Sequence, residues 1–157
     1  MPTFSSTAEM KAYILARSFT AVNVAANKAY EIIHRVLEQF YASNEPEYYI
    51  RTERLLCSLV KPIVSGTGNG VTGEVYFDAS MLDYPTENIP LKKELNGSML
   101  GHASWSGEDV LNAAMVGPSK NVWTNDVRIW SESVPILKSQ MLDILKQELI
   151  KAGIPVR

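Results

Sequence analysis

The stretch Tyr48–Val60, YYIRTERLLCSLV, lies between a long helical pattern and an alternating one. Its reading decides the fold. Either it is a corner that turns a helix into a hairpin, or its two arginines, set among tyrosines and leucines, form an anion-binding or catalytic cluster. Thr52 is suited to cap a helical turn covering Leu55 and Leu56, and Thr52 and Ser58 are assigned to a structural corner. Arg51 and Arg54 have two readings. They can pair with Glu45, Glu47 or a neighbouring subunit's carboxylates, or they are surface side chains contributing little, as exposed charges usually do.

Upstream, Ser6 and Glu9 have capping-box spacing, in which each side chain can satisfy a free backbone N–H at a helix start. Leu15, Phe19, Val22, Ala26, Ala29, Ile33, Val36 and Phe40 then recur at steps of four and three, one stripe along a helix. The spacing predicts a helix over about residues 7–42. At about 35 residues it would be about 50 Å long, longer than a domain of this size is wide. Two outcomes follow: a break near Ala21–Asn27, or an N-terminal part that extends beyond its own core. In the second, Leu15 and Phe19 need a neighbouring subunit to cover them.

Downstream, residues 57–78 read as a β-hairpin. Leu59–Val64 forms the first strand, with Pro62 marking an edge or a bulge. SGTGNG (Ser65–Gly70) is the turn, with Asn69-Gly70 as a dipeptide favoured where positive φ is required. Val71, Gly73, Val75 and Phe77 then share one face, and Thr72, Glu74, Tyr76 and Asp78 the other. Residues 79–105, above all Met81–Gly101, have no period and read as a long loop. A short helix is expected over 107–116, stopped by Gly117-Pro118. A short strand is expected over 126–130. A last helix over 134–152 turns Leu137, Met141, Ile144, Leu145 and Leu149 inward and stops at Gly153. The order defines a single α+β domain over residues 1–157: long helix, antiparallel hairpin, short middle helix, and a C-terminal helix packed on the sheet.

The bulk composition bounds the function. With 46% apolar and 20% charged residues, the chain reads as globular rather than disordered. A net charge of −2 works against whole-molecule attraction to nucleic acid. A nucleic-acid-contacting module would have to gather Lys92, Lys93, Arg51 and Arg54 on one side. No apolar run approaches the roughly 18 residues of a membrane span. No signal peptide is visible, so synthesis in a cytoplasm is expected. One cysteine, Cys57, forms no internal disulfide, and two histidines make a zinc site improbable.

The search for chemistry nominates no catalytic, cofactor or metal residues. SGTGNG lacks the Lys-Ser or Lys-Thr that a phosphate loop needs after its last glycine, because Val71-Thr72 follow. Nothing in the spacing links His34 or His102 to Cys57 or to a particular serine, so a small enzyme built on them is the weaker reading. The aromatics carry more. Trp105, Trp123 and Trp130 fall in or beside loops and short elements. Tryptophan is enriched at interface hot spots, against the alternative that these rings cover the ends of their own core.

The run Pro46–Val60, PEYYIRTERLLCSLV, resembles the signature of a neck-protein family of long-tailed bacteriophages, whose members are called tail-completion, minor tail or head–tail joining proteins. The matching residues are Pro46, Tyr49, Arg51, Thr52, Leu55 and Ser58. Glu53 stands where many members carry glycine, which predicts a more helical turn after Thr52. The likeness continues in VYFDASMLDY (Val75–Tyr84), in the short helix ahead of Gly117 and in LKQELIKAGIPV near the C-terminus. It covers nearly the whole chain, through short and degenerate motifs. The resemblance implies a non-enzymatic structural virion protein at the head–tail junction. Such a protein forms a homo-oligomeric ring, hexameric by the tail's sixfold symmetry. Its partners would be the head connector or stopper and the tail tube or tail-terminator proteins, with no membrane and no specific nucleic-acid binding. The alternative is a tail terminator capping the tube. Leu15, Phe19, Arg51, Arg54, Trp105, Trp123 and Trp130 are the candidate interface residues.

Overall fold

The computed structural model describes residues 3–43, 53–82, 106–108, 111 and 129–156. Helix α1 spans Thr7–Ser43, 37 residues without a break and about 55 Å long. Its start is capped differently from the reciprocal box expected. Ser6 Oγ accepts the Glu9 backbone N–H at 3.2 Å. The Glu9 carboxylate reaches past Ser6 to Ser5, accepting its N–H at 2.8 Å and its hydroxyl at 2.7 Å. These bonds from Ser5 hold the Glu9 carboxyl below its ordinary value of 4.5.

The segment Ala21–Asn27 does not break the helix. Asn27 satisfies its side-chain amide locally, donating to the Asn23 carbonyl at 2.8 Å. Ala21, Ala25 and Ala26 are buried there, so small side chains supply the covered surface.

Helix α2 is a single turn, Arg54–Cys57. Strands β1 (Ile63–Thr67) and β2 (Gly70–Glu74) pair antiparallel, with Ile63 opposite Glu74 and Thr67 opposite Gly70. The turn is therefore Gly68-Asn69 rather than Asn69-Gly70, and neither residue takes the left-handed φ. Leu59 bridges Phe77. From Leu59 to Ile63 is a step of four residues, whereas from Glu74 to Phe77 is a step of three. Residues 60–62, Pro62 among them, lie between this bridge and β1, outside the ladder, so no ladder N–H is required of the proline.

The first four residues of the expected loop, Ala79–Leu82, form a 3₁₀ turn. Asp78 caps it by accepting the Ser80 N–H and hydroxyl, and Leu82 is buried. Residues 107, 108 and 111 are helical; the rest of the expected middle helix, residues 83–105 and positions 126–128 lie outside the described residues.

The C-terminal helix α3 spans Ile129–Lys151 and packs on the sheet. It begins five residues earlier than the sequence pattern predicts. Ile129 and Trp130 are its opening residues, not the end of a strand. Burial of Ile129 and Ser133 on this first stretch outweighs the preference of Pro135 for a first-turn position. Proline then stands inside the helix, where it supplies no backbone N–H. The far end closes as expected. Gly153 has φ +84°, its N–H bonds the Ile150 carbonyl, and the Ile154 N–H bonds that of Leu149, each at 2.9 Å. The whole is an α+β arrangement of a long N-terminal helix, a two-stranded sheet, a short helix and a C-terminal helix.

Two compact units divide the chain. The first draws on Met1–Glu31, Lys61–Tyr76 and Ile136–Arg157. Here the hairpin approaches α1 closely: a Cβ added to Gly73 would lie 3.0 Å from both Ala26 Cβ and Val22 Cγ1. Only small groups permit that distance. The second unit draws on Ile32–Val60 and Phe77–Pro135. Its core is built from larger aliphatics, Ile32, Ile33, Val36, Leu37, Leu59, Leu82 and Ile129. Gly107 belongs to it, and a Cβ there would stand 1.7 Å from the Ala79 carbonyl oxygen.

Candidate functional site

Within the first unit, the N-terminal part of α1 and the hairpin tip touch at two places along the helix. Lys11 Nζ donates to Asn69 Oδ1 at 3.1 Å. Three turns further along α1, Val22 and Ala26 meet Gly73. Between those two contacts lies an open groove of about 480 Å³, lined by Leu15, Ala16 and Phe19 from α1 and Gly66, Thr67 and Val71 from the hairpin.

The groove follows from side-chain size and strand alternation. Val71 shares the inward face of β2 with Gly73, as the period of two requires. Leu15 and Phe19 are four apart on α1 and share a helix face. Gly66 adds no side chain, and a Cβ built on it would meet nothing within 4 Å. Leu15 is half-buried, but Phe19 is 43% exposed. Met10 and Ile14, on the same helix, are 41% and 40% exposed. Among the described residues no acid, base or thiol lines this groove. The chemistry of the described lining is apolar contact, with a hydroxyl from Thr67.

The described part of the opening stretch, residues 53–60, belongs to the second unit. Glu53 adopts φ 57°, ψ 8°, the left-handed region, and α2 starts immediately after it. Glu53 itself is thus not helical; the helical turn α2 begins at the next residue. The backbone at Glu53 has the geometry that glycine favours, with a glutamate in it. Ser58 is fully buried, and its hydroxyl donates to the Leu55 carbonyl at 2.8 Å. The Ser58 carbonyl accepts the Asp78 N–H at 2.8 Å. Ser58 therefore ties the end of α2 to the start of the 3₁₀ turn. Arg54 is exposed on α2. Arg51 and Thr52, like Trp105 and Trp123, lie outside the described residues. Trp130 is 46% exposed on the first turn of α3.

The groups weighed for catalysis are not assembled by anything described. Cys57 is exposed on α2. His34 Nδ1 lies 3.5 Å from Glu38 Oε2 one turn along α1. His102 lies outside the described residues. Among the described residues no group of three or more histidines, cysteines or carboxylates could hold a metal ion. No helix among them is long and apolar enough to cross a membrane.

Of the candidate residues, the structure brings Leu15 and Phe19 into one site. Its hairpin half, Gly66, Thr67 and Val71, was not singled out by sequence reasoning. The alternation placed Val71 on the inner face, but no local pattern reports which part of a helix that face will meet. The chain matches no protein-family model, no curated protein and no solved structure.

Proposed function

We propose that this chain is a non-enzymatic structural protein of a long-tailed bacteriophage neck. It oligomerises into a ring, hexameric to match the tail, that helps complete the tail and joins it to the head connector. The observation that carries this reading is the apolar groove on α1. Leu15 and Phe19, the two residues expected to require a neighbouring subunit, lie side by side there with the Phe19 ring 43% exposed. An exposed aromatic in an apolar groove is the kind of anchor that interfaces use. A groove on one face filled by a different face of the next copy is a head-to-tail contact, and such contacts close into a ring when the rotation allows. The resemblance of Pro46–Val60 to neck proteins supplies the biological setting: a virion location, with connector and tail proteins as neighbours. The net charge of −2 favours protein partners over DNA.

The test is the mass of the purified protein, alone and with isolated connectors or tails, followed by imaging of any particle. A sixfold ring, or incorporation at the head–tail junction, is the expected outcome. A ring seated at the end of the tail tube on tails that lack heads would favour the tail-terminator alternative. A protein that stays monomeric with both partners present would overturn the proposal.

A further inference from the structure

We draw no further inference here: the strongest candidate, the open apolar groove between the N-terminal half of α1 and the hairpin tip, belongs to the surface already described, and nothing in the structure shows which partner covers it.

Discussion

Glu53 holds the left-handed backbone that a β-carbon disfavours by about 1–2 kcal/mol. Replacing it with glycine is expected to stabilise the protein by about 0.5–1 kcal/mol, because the relieved strain outweighs the added freedom of the unfolded chain. Glu53→Ala keeps the β-carbon and should gain nothing. Urea unfolding of the two variants separates strain from loss of the carboxylate; equal midpoints would show that φ is not the cause. Ser133 offers a second test. Among the described residues its hydroxyl is buried with no hydrogen-bond partner, which costs desolvation without return. Ser133→Ala should be neutral or stabilising by about 1 kcal/mol. A clear loss of thermal stability would mean that the hydroxyl is satisfied in solution. Gly107→Ala acts in the opposite direction. The added carbon would fall 1.7 Å from a backbone carbonyl oxygen, and backbone does not yield as a side chain does. A loss of about 3 kcal/mol or more is expected, read from the same unfolding curves.

At the scale of elements, the two ends of the α1–hairpin pairing are open to different probes. Gly73→Val would push a branched side chain into Val22 and Ala26, whose nearest atoms are 3.0 Å from the position of its first carbon. The hairpin must then lift from the helix, at about 1–3 kcal/mol. Hydrogen exchange should show faster exchange in β1 and β2 in this variant. The helix start is pH-sensitive. The Glu9 carboxyl is lowered by its bonds from Ser5, so its charged form is favoured in the folded state. The stabilisation is fully present above the ordinary value of 4.5 and is lost as pH falls through the lowered folded value. Glu9→Gln should abolish that dependence while leaving most of the helix, with the N-terminal amides of α1 as the NMR readout. An unchanged acid titration of those amides would remove Glu9 from the cap.

At the scale of the whole molecule, the proposal turns on whether the apolar surface of α1 is covered in the assembly. Phe19→Asp alters a side chain that is nearly half exposed. An isolated subunit should therefore lose no more than about 0.5 kcal/mol, as exposed substitutions generally do, while assembly is abolished. Light scattering and thermal unfolding of one sample read both. Equal loss of fold and assembly would return the ring to the core of its own subunit. Leu15→Asp, at a half-buried position, should block oligomers and also lower the stability of the subunit somewhat. The order of the two variants in monomer stability is thus itself a check on the groove.

The sequence determined the elements whose signals are local. The helix from Thr7, the alternation of Val71, Gly73 and Val75, and the Gly153 stop each depend on the chemistry of a few neighbouring residues. Tertiary structure alone decided what depends on distant partners. It carried α1 unbroken through Ala21–Asn27, where Gly73 of the hairpin, far along the chain, comes close to Val22 and Ala26. It drew α3 back to Ile129, because burial of that residue outweighs the preference of Pro135. It also set Val71 and Thr67 opposite Leu15 and Phe19. A periodic pattern states which face of an element is apolar; only the packing of another element leaves part of that face open, and that remainder is the candidate site.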